Sequence, residues 1–98
     1  MDLIVTVKEI KGRCPVYNSR DTIFIKDGYI LDVKNSADVC MHSLASIMPY
    51  YVALSKGVSQ KSLGLSGEKE GSAYIQCLDP CKVTGGGTVI FEITPCSA

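Results

Sequence analysis

The side chains best suited to chemistry in this chain are five cysteines and a single histidine. Cys40 and His42 form a Cys-x-His pair, and Cys77 and Cys81 form a Cys-x-x-x-Cys pair around an Asp-Pro dipeptide. Cys14 stands directly before a proline. Thiolates and imidazoles are nucleophiles and soft metal ligands in proteins, so these positions predict either thiol chemistry or metal binding.

The Cys40–His42 pair has two interpretations. An apolar stripe of helical period runs from Cys40 through Leu44 and Ile47. Residues two apart on a helix point roughly 200° apart, which predicts that His42 faces away from Cys40. Cys40 would then be a buried core residue. A helix that begins near Cys40 would instead stabilise its thiolate and keep the thiol reactive.

Metal binding is the second chemistry to consider. The Cys77–Cys81 spacing matches neither the Cys-x-x-Cys redox motif nor a standard zinc knuckle. A four-ligand site would therefore have to combine distant parts of the chain. Its predicted ligands are Cys14, Cys40, His42 and Cys77. The sequence leaves the cofactor open between zinc, iron and none.

The glycine-rich segment 84–88 is a weaker candidate for ligand contact. A phosphate cradle needs a helix after its glycines, and here a strand is predicted to follow. The segment therefore predicts a tight turn or bulge, or a place where the backbone closely approaches a ligand or another chain. Thr84, Gly86 and Thr88 are its candidate cofactor-binding residues.

The elements that must position these residues follow from hydrophobic periodicity. Alternating apolar residues predict strands at 3–10, 22–26, 29–33, 73–78 and 88–94. Ser36 is the predicted N-cap of a helical segment that continues to Gly57 and is interrupted at Pro49. The order βββ-α-ββ predicts an α+β protein with a single compact domain, 1–98. We expect a mixed sheet or a small partly closed barrel, packed with one kinked helix or two helices.

Amino-acid composition limits the classes of partner that this protein is expected to bind. Ten basic and ten acidic residues give zero net charge, which argues against nucleic-acid binding and is compatible with self-association into a homo-oligomer. The sequence lacks an apolar run near the ~20 residues that span a membrane, and its start does not resemble a signal peptide. These features predict a cytoplasmic protein. Disulfides are rare in that compartment, and an odd number of cysteines also favours free thiols or metal ligands.

Several motifs together resemble a small, uncharacterised prokaryotic conserved-domain family. The motifs are Cys-Pro, Cys-x-His, Gln-Cys-x-Asp-Pro and Thr-Gly-Gly-Gly-Thr-Val, within segments 11–17, 38–42, 76–80 and 84–93, and segment 49–54 adds to them. The resemblance covers nearly the whole chain. It implies that Cys14, Cys40, His42 and Cys77 are the marked positions of the family. Members commonly have glycine where this chain has Cys81, so the resemblance implies no role for Cys81 or for Cys96.

Three hypotheses follow for the function. In the first, a pocket formed by Cys14, Cys40, His42 and Cys77, with Asp79 nearby, binds a small molecule or a metal ion and uses a thiolate as nucleophile or acid/base. In the second, the protein is a non-catalytic homo-oligomeric module with its cysteines in the core and an unprotected edge strand at 88–94. In the third, it is a structural zinc protein. The sequence leaves open whether the protein is an enzyme.

Overall fold

A computed structural model describes residues 1–96 of the chain. Five strands form one sheet in the order β3-β2-β1-β5-β4. The strands are β1 (Asp2–Gly12), β2 (Thr22–Lys26), β3 (Ile30–Leu31), β4 (Ala73–Gln76) and β5 (Gly87–Cys96). The helices are α1 (Met41–Ile47), α2 (Tyr51–Ser55) and α3 (Cys81–Thr84), and a 3-10 turn covers Val33–Asn35. This arrangement confirms the predicted α+β class.

The sheet is antiparallel throughout and open, whereas a mixed sheet or a partly closed barrel was expected. The two outer strands, β3 and β4, contain only two and four residues and lie at opposite edges. Such short strands at opposite edges do not pair with each other, so the sheet does not close.

The longest strands, β1 and β5, are neighbours in the centre of the sheet. Val5 pairs with Ile93 in the middle of their ladder, and a register irregularity follows Val7. The prediction that the last strand is an unprotected edge is therefore wrong, because β5 pairs with β1 on one side and with β4 on the other. Periodicity identified the strand but carried no information about its partners.

The helical segment begins later than predicted. The Ser36 hydroxyl accepts a hydrogen bond from the backbone N–H of Phe24 at 2.8 Å, so it does not cap a helix. The first α-helix begins instead at Met41, with Cys40 as its N-cap. Two separate helices then replace a single kinked one, because Pro49 lies in the turn between α1 and α2 and cannot donate a helical hydrogen bond.

The core lies between one face of the sheet and the first two helices. The inward residues alternate along the central strands, and Ile47 of α1 and Leu54 of α2 are buried with them. The inward strand residues are Leu3, Val5, Val7, Val89, Phe91 and Ile93. Within residues 1–96, no helix has both the length and the apolar character needed to cross a membrane.

Candidate functional site

The five residues of the predicted pocket line one cavity, which has a volume of about 280 Å³. They are Cys14, Cys40, His42, Cys77 and Asp79. We call this cavity the cysteine pocket, and its remaining wall is formed by Pro15, Val16, Tyr17, Ser43, Gly87 and Val89. A larger groove, of about 520 Å³, lies beside β4 and is lined by none of the predicted site residues. The fold thus gathers residues from the loop after β1, the start of α1 and the ends of β4 and β5.

Cys14 is held in its loop by contacts on both sides. Its Sγ accepts a hydrogen bond from the backbone N–H of Tyr17 at 3.3 Å, and its side chain is half-buried. The preceding Arg13 donates its backbone N–H to the carbonyl of Gly86 at 3.3 Å. Gly87 approaches so closely that a Cβ there would lie 2.6 Å from the backbone nitrogen of Cys14. The loop is therefore fixed against the start of β5.

Cys40 and His42 both line the pocket, although helical spacing predicted that they point apart. Cys40 has extended backbone angles, φ −76° and ψ 135°, because it precedes the helix as its N-cap. The separation of about 200° between residues two apart on a helix does not apply to a residue outside the helix. His42 is exposed, whereas Cys40 is half-buried and donates its backbone N–H to the Tyr17 hydroxyl at 2.9 Å.

The Cys77 thiol is bound to the neighbouring strand. Cys77 follows the last residue of β4 and is buried. Its Sγ accepts a hydrogen bond from the backbone N–H of Val89 at 3.3 Å and donates to the carbonyl of Gly87 at 3.6 Å. Of the three pocket cysteines, Cys77 is thus the one whose sulfur both donates and accepts hydrogen bonds with the backbone of β5.

The glycine-rich segment holds Asp79 in place. The Thr84 hydroxyl donates to the Asp79 carboxylate and accepts the backbone N–H of Gly86 at 3.1 Å. The Thr88 hydroxyl donates to the carbonyl of Asp79. A Cβ at Gly86 would displace the same carboxylate from its hydrogen bond with Thr84. The polar groups of the three predicted cofactor-binding residues are therefore used inside the chain, and a role for them toward a ligand stays a prediction.

The glycines themselves end α3 and lead into β5. Gly85 adopts the left-handed conformation, φ 75°, that commonly ends a helix, and β5 begins at Gly87. The helix thus precedes the glycines, whereas a phosphate cradle has its helix after them.

Tyr17 and Ser43 are two wall residues that the sequence did not single out as a site. Tyr17 is buried, and this burial raises its pKa above the ordinary 10.0, whereas interactions with the Ser43 hydroxyl and the Cys40 backbone oppose the rise. Ser43 is only 1% exposed, and within residues 1–96 its Oγ makes no hydrogen bond of acceptable geometry. No sequence signal marks Ser43, because its burial and its lack of a partner in the described chain depend on tertiary packing.

The other two cysteines lie outside the cysteine pocket. Cys81 begins α3 and donates its backbone N–H to the Thr88 hydroxyl at 3.3 Å. Cys96 ends β5, and its thiol lies 3.8 Å from the carbonyl of Thr94. All five cysteines are free thiols.

The predicted metal ligands do not form a recognisable coordination group. In the part of the chain that the structure describes, no set of three or more His, Cys, Asp or Glu side chains is arranged to hold a metal ion. Cys14, Cys40, His42 and Cys77 share the pocket wall without such an arrangement. Zinc or iron binding stays a prediction.

The fold and the site together define a small α+β protein with an open antiparallel sheet and a thiol-lined cavity at one end of its central strands. Comparisons with family models, curated proteins and solved structures found no match. The resemblance to the small prokaryotic family therefore stays a prediction.

Proposed function

We propose that the cysteine pocket binds a small molecule and that Cys14 acts on it as a thiolate. The observation that carries the proposal is that residues from four separate segments meet at one cavity, among them the three cysteines, the histidine and the aspartate that sequence motifs singled out. The volume of about 280 Å³ is near the lower end of the range for small-molecule sites, which favours a ligand of metabolite size.

Cys14 is a better-placed nucleophile than Cys77. Cys77 is buried and its sulfur is engaged by β5, whereas Cys14 is half-buried in a loop. The backbone N–H of Tyr17 points at the Cys14 sulfur at 3.3 Å and holds it in position on the pocket wall. His42 is exposed on the wall of the same pocket, and an imidazole is the side chain that most often serves as a general acid or base.

The predicted cytoplasmic location and the predicted family membership are both consistent with this proposal. A cytoplasmic location would keep the pocket thiols reduced and available for reaction. Membership of the small prokaryotic family would make the pocket, and the marked positions around it, a shared property of its members.

Thiol labelling of the native protein tests the proposal. We expect one fast phase with an aromatic disulfide reagent, lost in Cys14→Ser and kept in Cys81→Ser, a control outside the pocket. Cys77 should react only after unfolding, because it is buried. Persistence of the fast phase in Cys14→Ser, or the lack of any thiol faster than free glutathione, would contradict a thiolate at Cys14.

The same samples, purified without oxygen, test the metal alternative by elemental analysis. If the protein contains near-stoichiometric zinc or iron, and this metal is lost in both Cys14→Ser and His42→Ala, then the occupant of the pocket is a metal ion and not a small molecule. A protein that unfolds when a chelator is added would favour structural zinc.

A second candidate function, a homo-oligomeric interaction module, rests on a different surface. Tyr29, Val33, Met48 and Val52 are between 52% and 75% exposed, and an apolar groove near β3 is lined by Tyr29 and Met48 among others. Large exposed apolar side chains often mark interaction sites. Sedimentation velocity should then show a concentration-dependent oligomer that Met48→Glu dissociates. Val83→Glu, at an exposed position in α3, is the control. A monomer at all concentrations would remove this candidate.

A further inference from the structure

We propose that the ligand of the cysteine pocket is a small, uncharged α,β-unsaturated carbonyl compound, whose oxygen accepts hydrogen bonds from Tyr17 and Ser43 and whose alkene carbon reacts with Cys14. This inference rests on the proposed function and names the chemical class of the ligand. It starts from a buried hydroxyl pair that residues 1–96 leave incompletely hydrogen-bonded.

The hydroxyl protons of Tyr17 and Ser43 show what the pocket offers to a ligand. The oxygen of Tyr17 already accepts the backbone N–H of Cys40 at 2.9 Å, so the phenol is available as a donor. If one of these two hydroxyls donates its proton to the other, the proton of the accepting hydroxyl still lacks an acceptor within residues 1–96. A buried donor without an acceptor costs free energy, and a ligand that brings an acceptor oxygen removes this cost.

The charges around the pocket indicate that this acceptor is neutral. None of the lining residues, within the described chain, is lysine or arginine. The wall contains the Asp79 carboxyl group and three thiols, which can only add negative charge, and the imidazole of His42, which is exposed and is not a permanent cation. A carboxylate or phosphate would meet like charges without a fixed cation to pair with, whereas a ketone, aldehyde or amide oxygen would not.

Tyr17 also connects the hydroxyl pair to the thiol. Its backbone nitrogen contacts the Cys14 sulfur at 3.3 Å, whereas its hydroxyl lies at the start of α1 beside Ser43. A ligand that lies along the Tyr17 side chain therefore presents one end to the thiol and the other to the hydroxyls. An α,β-unsaturated carbonyl compound has this polarity, with an electrophilic carbon at one end and an acceptor oxygen at the other.

The reaction balances without a further reactant. The sulfur of Cys14 forms a bond to the β-carbon, and the π electrons of the alkene shift to give an enolate whose oxygen is held by the two hydroxyl donors. The proton released by the thiol returns to the α-carbon. Donors placed where the oxygen develops negative charge are the groups that lower the barrier of such a step.

The test uses 2-cyclohexen-1-one as the probe and follows the mass of the intact protein over time. We expect one adduct on wild type, and a second-order rate constant that falls about 3- to 10-fold in Ser43→Ala and in Tyr17→Phe, in keeping with the loss of one hydrogen bond. Ser62→Ala, in an exposed turn, is the matched control. The rate with the disulfide reagent is measured on every variant, and each enone rate is divided by it, so that a change in the reactivity of Cys14 itself is separated from the loss of a hydroxyl donor.

Protection experiments test the charge argument. Cyclohexanone should slow adduct formation, and cyclohexanecarboxylate, of similar size but negatively charged, should not. The reverse order of protection would overturn the inference.

Failure of the inference is distinguishable from failure of the proposed function. Equal enone rates in wild type, Ser43→Ala and Tyr17→Phe, with a fast Cys14, would overturn the carbonyl inference and leave a reactive thiol pocket. A Cys14 that reacts with both reagents no faster than glutathione would overturn the proposed function itself. Ser43→Ala removes an unsatisfied hydroxyl, so we expect its free energy of unfolding to be unchanged or higher.

Discussion

At the scale of single residues, Tyr17 links the parts of the pocket to each other and to the core. Its backbone nitrogen binds the Cys14 sulfur and its hydroxyl accepts the backbone N–H of Cys40. Its ring packs edge-to-face on Phe91, with 5.4 Å between ring centroids. Two loop segments that carry candidate thiols are thus attached to one buried aromatic residue.

The free energy of unfolding should depend on Tyr17 ionisation at alkaline pH. Burial raises the folded-state pKa above 10.0, so the folded state favours the protonated phenol. This contribution to stability is fully present below the unfolded pKa and is lost as pH rises through the folded pKa. Wild type should therefore lose stability more steeply than Tyr17→Phe above about pH 10 in urea titrations.

Near neutral pH the same variant should be less stable by about 1 kcal/mol, because the Cys40 N–H loses its acceptor. Tyr29→Phe, at a position 72% exposed, is the control and should behave as wild type. The pKa of Tyr74 is also raised, chiefly by its hydrogen bond to Glu92. Because Tyr74 is present in wild type and in both variants, it does not contribute to the difference between them. Identical alkaline slopes in wild type and Tyr17→Phe would contradict the prediction.

Residue type alone predicted the cysteines and the histidine of the pocket, because thiols and imidazoles are potential nucleophiles and metal ligands in any part of a structure. Ser43 and Tyr17 could not be predicted in the same way. A serine is significant here because it is buried and lacks a partner of good geometry within residues 1–96, and both properties depend on tertiary packing. The sequence hypothesis of a pocket shared by Cys40 and His42 agrees with the structure, and the helical periodicity that argued against it failed because Cys40 precedes the helix.

At the scale of elements, the start of β5 packs between Asp79 and the loop that contains Cys14. Gly86 faces the Asp79 carboxylate, and Gly87 faces the backbone of Arg13 and Cys14. The close approach of backbone to Gly87 explains that glycine without any phosphate. It also couples the conformation of the Cys14 loop to the central sheet.

Gly87→Ala should therefore affect both stability and the pocket thiol. The new Cβ would lie 2.6 Å from the Cys14 nitrogen, and relief of that clash must move backbone. We expect a loss of about 1–3 kcal/mol in free energy of unfolding, typical of overpacking, and a changed rate of Cys14 labelling.

Gly64→Ala is the comparison variant. This position has open space for a Cβ but a φ of +72°, so it should cost about 1 kcal/mol through backbone strain alone. Its labelling rate should equal that of wild type. Unchanged labelling in Gly87→Ala would show that the glycine does not position Cys14.

Local patterns predicted elements well only where local interactions determine them. Alternation located β1 and β2, whose inward residues face the core. The helix start at Ser36 failed because its hydroxyl binds Phe24, twelve positions earlier. Helix α3 was missed because its four residues are too few to show a helical period.

At the scale of the whole molecule, the two ends of the described chain meet in the centre of the sheet. Asp2 pairs with Cys96, and the N-terminal amino group of Met1 contacts the carbonyl of Ser55 at 3.2 Å. The order of strands in space was the part of the fold least accessible from the sequence, because pairing between strands distant along the chain leaves no periodic signal.

A circular permutant should keep this fold. We expect that joining the two ends by a short glycine-serine linker, with new ends between Glu70 and Gly71, preserves cooperative unfolding. Both residues are exposed in the loop before β4, where a break disturbs little packing. Circular dichroism and thermal unfolding provide the measurement.

A second permutant, with new ends between Val5 and Thr6, interrupts the central strand and should not fold. Loss of folding in the first permutant, with its ends in an exposed loop, would contradict the neighbouring positions of β1 and β5.

The central position of β5 has a consequence for synthesis of the protein on the ribosome. The last strand to emerge is the one that joins β4 to the other three strands, so a nascent chain holds β1 with one bare edge until residues 87–96 are made. Bare strand edges recruit other chains and lead to aggregation. The interval between translation of β1 and emergence of β5 is therefore the time for which this edge of β1 stays open to pairing with other chains.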